Sequence, residues 1–330
     1  MSVARALDPA VLAIEAPAEV DRIAAAIATQ VTRRLRRKGV VVGLSGGVDS
    51  SVVAALCVRA LGPGRVLGLL MPEADSSPDS TRLGQLVAET LGVEWVLEDI
   101  GAILTAAGCY RRRDDAIREV VPEYDARYRC KIVLPDLLDG DRYPLFSIVV
   151  RSPGGVERRA RLTLEAYLGV VAATNFKQRV RKMLEYYHAD RRQYAVAGTP
   201  NRLEYDQGFF VKNGDGAADL KPIAHLYKSQ VYELAACLGV PEEIRRRPAT
   251  TDTYSLEQSQ EEFYFGLPLA TLDLALYARD HGVPLETAAP ALGLSVAQAQ
   301  RVYRLIDSKR QASRYQHLPP LLVEEVEIAS

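Results

Sequence analysis

The sequence predicts an α/β protein built on a doubly wound parallel sheet, with an inserted β-hairpin and a helical C-terminal portion. Three features carry that expectation. Val40-Val41-Val42-Gly43-Leu44 and the run from Val66 to Met71 are short and continuously apolar, as strands buried on both faces are. The segments that follow them have helical apolar spacing and are closed by Gly62 and Gly92. Strand, helix, strand, helix, strand at this spacing over 40–97 means right-handed crossovers and a parallel sheet covered by helices.

In chain order, residues 19–38 read as a helix ending in the basic run Arg33, Arg34, Arg36, Arg37, Lys38, a solvated end that complements the helix dipole. Ile23, Ala24, Ile27 and Val31 give this helix an apolar stripe that must be buried; a subunit contact drawing on Val20–Val31 and on helical elements beside the substrate loop is expected, with packing against its own sheet as the alternative. Ser50 to Leu61 is helical and apolar nearly all round, 80–91 is the second crossover helix, and 93–97 the third strand. Regularity breaks down between Asp99 and Thr174. There Pro153-Gly154-Gly155 is a turn signal flanked by apolar alternation at 145–150 and 160–164, so an insertion of about 101–174 carrying a β-hairpin is expected. Alternation resumes with a helix over 175–189, a strand over 194–198, a Gly-rich loop over 208–216 and a helix from Tyr227 to Leu238 closed by Gly239 and Pro241. Beyond about 267 the chain reads as helical, apart from an extended tail after 318. One domain over 1–266, with a helical extension over 267–330 packed on it, is the expected organisation.

Composition narrows the function classes. Lys plus Arg total 41 and Asp plus Glu 42, a net charge of −1, so there is no global pull towards nucleic acid or an anionic membrane. No segment reads as a membrane span or secretory signal. Cys57, Cys109, Cys130 and Cys237 form no CxxC pair, which argues against a zinc knuckle or a redox dithiol. A cytoplasmic, reduced enzyme is expected. Residues 284–306 have a helix, Gly turn, helix layout, with Gln298, Gln300, Arg301 and Arg304 on the second helix. Following an enzyme core, they read as an ordinary helix pair and not as a DNA-binding element.

The chemistry begins where the first strand ends. Ser45-Gly46-Gly47-Val48-Asp49-Ser50-Ser51 lies between a buried strand and a buried helix. Glycines allow close backbone approach, and loop N–H groups with the helix N-terminus behind them cradle anionic oxygens. The three serine hydroxyls add donors. Asp49 fits an anion site when a divalent cation lies between its carboxylate and the phosphates, the usual Mg²⁺ arrangement. No lysine follows the glycines, so this is not a Gly-Lys-Ser/Thr nucleotide loop. The run resembles the pyrophosphate loop of the ATP pyrophosphatase superfamily, whose members split ATP between the α- and β-phosphates to adenylate an acceptor oxygen.

A second set of residues narrows the acceptor. Asn175, Arg179 and Arg181 fall on one helix. After them come Gly198-Thr199, Glu204, Gly208-Phe209-Phe210, Lys212, Gly214-Asp215-Gly216, Asp219, Pro222 and Lys228. This order and spacing resembles the ammonia-dependent NAD synthetase family, as do Met71-Pro72, Ser76-Ser77 and Pro248-Ala249-Thr250-Thr251-Asp252. The resemblance covers most of the chain outside about 101–174. It implies an adenine nucleotide alpha hydrolase-like sheet and ATP-dependent amidation of nicotinic acid adenine dinucleotide by ammonia, releasing AMP and pyrophosphate. It also implies a homodimer with substrate near the subunit contact.

The resemblance assigns roles. Asp49 and Glu204 would hold Mg²⁺; Lys228 and Thr199 would contact ATP phosphates, with Thr250 beside ATP; Arg179, Lys212 and Asp219 would contact the dinucleotide. Asp215 lies in the same Gly-rich loop and would order it around substrate. Lys228 and Asp49 are thus the expected catalytic residues, and Ser45 to Ser51 with Thr199, Lys228 and Thr250 the expected ATP contacts. The family's His-Lys-Arg cluster near the C-terminus is replaced by Ser308-Lys309-Arg310-Gln311, which leaves that contact open. No glutaminase nucleophile is evident, so ammonia is expected from solution or a separate partner. Phe263-Tyr264-Phe265 reads as core or subunit contact. Two rivals are weaker. An amide-forming ligase of the same fold could act on another carboxylate. A tRNA-modifying pyrophosphatase would bring a basic surface or paired cysteines.

Overall fold

The computed structural model describes residues 7–134, 146–248, 250 and 253–326. Helix α1 (Ala16–Thr29), continued by one wide turn to Arg34, leads into strand β1 (Val40–Gly43) and helix α2 (Val48–Leu61). Strand β2 (Val66–Leu70), helix α3 (Pro78–Leu91) and strand β3 (Glu94–Leu97) follow. With β7 (Ala195–Ala197) they make a four-stranded parallel sheet in the order β3-β2-β1-β7. Alternate side chains enter opposite cores: Val40, Val42, Val66 and Leu70 pack towards α1 and α2, while Val41, Leu67 and Leu69 pack on the other side. Burial on both faces explains why these strands read as unbroken apolar runs.

The stripe on α1 goes to this core. Val20, Ile23, Ile27 and Val31 are 5% exposed or less and pack with α2 and α8 (Lys228–Cys237). The expected subunit contact through α1 is therefore corrected: a helix whose stripe is sealed against its own sheet has none left for a partner.

The irregular region is more ordered than its sequence suggested. Helices α4 (Gly101–Ala106) and α5 (Cys109–Arg118) precede strand β4 (Arg129–Val133), which pairs antiparallel with β5 (Ser147–Arg151), itself paired with β6 (Glu157–Arg161). The expected hairpin is present with its turn at Gly155, φ +82°; its predicted first residue, Leu145, lies outside the described residues. Helix α6 begins far earlier than its expected start at 175, running over Leu164–Arg192 with Thr163 as its cap. One face of its first half packs on the small sheet, through Ala166 and Val170.

After β7 come α7 (Arg202–Gln207), α8, α9 (Glu242–Arg246), α10 (Leu269–Asp280), α11 (Leu285–Ala291) and α12 (Val296–His317). The last three share a core with Leu203 of α7 and Tyr227 before α8. In the α11–α12 pair Gln298 is spent on the cap of its own helix, its amide oxygen accepting from Ser295 N at 2.9 Å. No helix among the described residues is long and apolar enough to cross a membrane.

Candidate active site

A cavity of about 550 Å³ opens at the carboxyl ends of β1 and β2, where open parallel sheets place their ligands. Leu44 N donates to Leu69 O at 2.8 Å, and the chain then turns at Gly46, φ +73°. A Cβ there would stand 2.6 Å from the Ser80 carbonyl and 2.9 Å from Leu83 Cβ, so α3 lies directly behind the loop. Ser45 Oγ accepts from Gly47 N (3.3 Å), and Ser50 Oγ donates to Gly47 O (3.1 Å). Ser45, Gly47, Val48, Asp49 and Ser50 line the cavity. Gly46 and Ser51 frame the loop: Ser51 is fully buried and its hydroxyl donates back to Gly47 O at 2.8 Å.

Asp49, in the first turn of α2, meets two other segments. The Lys228 ammonium, on the first residue of α8, ion-pairs with Asp49 Oδ2. Asp49 Oδ1 accepts from Asn201 Nδ2 at 3.0 Å. Asn201 caps α7 in a reciprocal pair with Glu204: its Oδ1 accepts from Glu204 N, and its own N donates to Glu204 Oε2, both at 3.1 Å. Glu204 Oε1 accepts from Gln260 Nε2 at 2.9 Å. Burial, and then the neighbouring Asp49 charge, push the Glu204 carboxyl up to about 8. Burial alone would pull the Lys228 ammonium down, but the Asp49 and Glu204 carboxylates outweigh it and hold it up. The start of α8 is fixed from α10, where fully buried Asp273 accepts from Ser229 N at 2.9 Å.

The half-buried Asp49 carboxylate is thus paired with the buried Lys228 ammonium, and the half-buried Glu204 carboxyl lies close enough to feel both charges. Among the described residues no group of three or more His, Cys, Asp or Glu could hold a metal. Two carboxylates beside a phosphate cradle are nonetheless the donor set Mg²⁺ uses when substrate oxygens and waters complete its shell, so these residues fit that ion.

Thr199, Asp215 and Thr250 also line the cavity; Ala249, Thr251 and Asp252 lie outside the described residues. Asp215 braces the Gly-rich loop, its Oδ1 accepting from Val211 N at 2.7 Å. The other three expected substrate residues are not brought to this cavity. Exposed Arg179 donates from Nε to Lys212 O at 3.3 Å, Lys212 Nζ donates to Tyr315 O at 2.8 Å, and Asp219 Oδ2 accepts from Val196 N at 2.7 Å.

Several residues in the cavity wall or behind it had been given no role from the sequence. Asn201 was visible only as the start of an Asn-x-x-Glu capping signature, and Gln260 carried no signal. Arg181, singled out with Asn175 and Arg179 but without a role, lines the cavity, and its Nε donates to Met71 O (3.2 Å) just past the end of β2. Fully buried Lys177 spans from Asp75 Oδ2 (2.6 Å) to Thr253 O (2.7 Å), and Arg113 meets the same Asp75 oxygen at 2.6 Å. Phe146 stacks on Tyr167, centroids 4.2 Å apart, at the cavity edge. Of the aromatic triplet, Phe265 is core, whereas Phe263 and Tyr264 line the cavity.

Comparison with known proteins identifies the family. The sequence model of the NAD synthase family matches residues 19–134 and 159–317. An NH3-dependent NAD+ synthetase of Rhizobium meliloti is 60% identical over 96% of this chain and 94% of its own length. One from Rhizobium rhizogenes is 58% identical over 99% of this chain and 98% of its own length. The solved NH3-dependent NAD synthetase from Campylobacter jejuni shares the fold, with a TM-score of 0.62 at 23% identity over 94% of this chain and all of that one. On its sequence, over nearly its whole length, this chain belongs to the NAD synthase family.

Proposed function

We propose that this chain is an ammonia-dependent NAD+ synthetase, amidating the carboxylate of nicotinic acid adenine dinucleotide at the expense of ATP. The observation that carries the reading is the Asp49–Lys228–Glu204 cluster, its lysine buried, beside the Ser45–Ser50 cradle at the N-terminus of α2. A carboxylate resists attack by ammonia because its leaving group would be oxide. Its oxygen therefore first attacks the α-phosphorus of ATP; the bond to the β-phosphate bridging oxygen breaks and pyrophosphate departs. Ammonia then attacks the acyl carbon, gives up a proton, and AMP leaves with the C–O bond electrons. Lys228 and the cradle N–H groups would face the oxygens on which charge gathers in the first step. Mg²⁺ held by Asp49 and Glu204 would supply charge neutralisation at the phosphates. Thr199 and Thr250 would flank ATP, and Asp215 would hold its loop against substrate.

The position of Arg179 suggests how the dinucleotide extends. Leu164, Leu168, Ala172, Arg179, Met183 and Tyr187 recur in steps of four and seven along α6, and all are exposed. A second copy of this chain covering that face would bring a partner surface to Arg179, Lys212 and Asp219. The enzyme would then be a homodimer with substrate near the contact. Ammonia would come from solution or from a separate supplying protein.

Pyrophosphate release tests the reaction. With ATP, Mg²⁺ and ammonium, nicotinic acid adenine dinucleotide should give release together with NAD+. The corresponding mononucleotide and simple carboxylates should give little. Faster release with another acid, and no NAD+, would reassign the acceptor.

A further inference from the structure

Asn201 is 1% exposed and holds both carboxylates of the cluster at once. Its Nδ2 donates to Asp49 Oδ1 at 3.0 Å, its backbone N donates to Glu204 Oε2 at 3.1 Å, and its Oδ1 accepts from Glu204 N at 3.1 Å. The amide orientation is fixed by chemistry: Glu204 N–H can only donate and an ionised Asp49 can only accept, so the reverse placement of O and N would break two bonds. Asp49 and Glu204 stand on different helices, 155 positions apart in the chain (204 − 49), and the two ionised carboxylates that a cation would draw on repel each other. A neutral residue that donates to both keeps them at one spacing without adding charge.

We propose that Asn201 is a positioning residue that presets the two carboxylates for the divalent ion, an inference that rests on the metal reading above. The residue type supports this. Asp and Ser cap helices about as well as Asn, so capping alone does not call for an amide. Asp would set a third negative charge against Asp49. Ser has one oxygen, already used by Glu204 N, on a shorter arm. Only Asn caps α7 and donates across to α2.

The test uses the full chain, with Mn²⁺ as the probe ion and ATP present but no acid substrate, so that nothing turns over. Asn201→Ser retains the cap and loses the donor. It should melt with the wild type yet bind Mn²⁺ roughly 10–100-fold more weakly by electron paramagnetic resonance, as loss of an outer partner of a metal ligand does. Its kcat should fall in parallel, with KM for the dinucleotide unchanged. In an Asp49→Asn background the same change should cost little further Mn²⁺ affinity, because the acceptor it serves is already weakened. Wild-type Mn²⁺ affinity in Asn201→Ser, or a full additional loss in the Asp49→Asn background, would overturn the proposal. If Asp49→Asn and Glu204→Gln both leave Mn²⁺ affinity unchanged, the metal reading itself fails, an outcome distinct from failure of Asn201 alone.

Discussion

Lys228 occupies the first position of α8, where the helix dipole opposes a cation. It is also 3% exposed. Both costs are offset by Asp49, and the placement makes sense if a positive charge is needed beside transferring phosphates. Lys228→Met should reduce turnover by roughly 10²–10³-fold, the scale for losing one preorganised stabilising donor. Contrary to what an isolated surface lysine would do, it should also lower stability, because Asp49 keeps its charge without a partner. Adding Asp49→Asn should restore the melting temperature and leave turnover low, separating the ion pair from the chemistry. If Lys228→Met alone retained near-normal turnover, Lys228 would have no part in catalysis. Asp49, Glu204 and Lys228 were legible through the resemblance of the 45–51 loop and of the motif order over 175–228 to a known family. Asn201 and Gln260 were not, since their roles arise from contacts with residues 152 and 56 positions away. Arg179, Lys212 and Asp219 were matched by spacing, which does not say whether a side chain faces this cavity or the outer face of α6.

Elements were readable where burial imposes a simple period. Strands β1, β2 and β7, α2, α3 and the C-terminal helices fall within a few residues of expectation because each is apolar over its full length or has a clear terminal signal. Residues 101–174 resisted because their order is tertiary. The free edge of β4 takes up a distant segment: Ser255 Oγ accepts from Cys130 N (2.9 Å), Leu256 N donates to Cys130 O (3.1 Å) and Gln258 Nε2 donates to Ile132 O (2.5 Å). No local pattern encodes that pairing. On α12, Lys309 Nζ donates to Tyr264 O at 2.5 Å and sits 3.9 Å from the Tyr264 ring centre, and burial pulls its ammonium down to about 7. An unfolded lysine titrates near about 10.4, so between those values the unfolded chain binds more protons and stability should rise with pH. Thermal melts at about pH 7 and about pH 9 should show a larger gain for the wild type than for Lys309→Met. Equal gains would mean that the contact with the Tyr264 carbonyl and ring keeps Lys309 charged in the fold.

At the scale of the whole molecule, a long apolar face on α6 is uncovered among the described residues. Leu164, Leu168, Met183 and Tyr187 are 74%, 54%, 53% and 51% exposed on a helix of 29 residues. A helix of that length extends roughly 43 Å, enough for a paired copy to approach the roughly 800 Å² per partner of a stable interface. Large side chains repeated on one face of one helix are not the scattered singles of an ordinary surface. Leu168→Asp with Met183→Asp should therefore yield a monomer by light scattering at micromolar concentration. Arg179 lies on the same face, so KM for the dinucleotide should rise sharply while ATP-dependent Mn²⁺ binding, which belongs to the enclosed cavity, stays near wild type. Ile23→Asp with Ile27→Asp should behave differently: those side chains are 3% and 1% exposed within their own core, so charges there should unfold the chain before they dissociate anything. A wild-type enzyme that is monomeric and fully active would refute the dimer. It would leave Arg179 to act from the surface of a single subunit, with the exposed apolar residues of α6 serving some other contact.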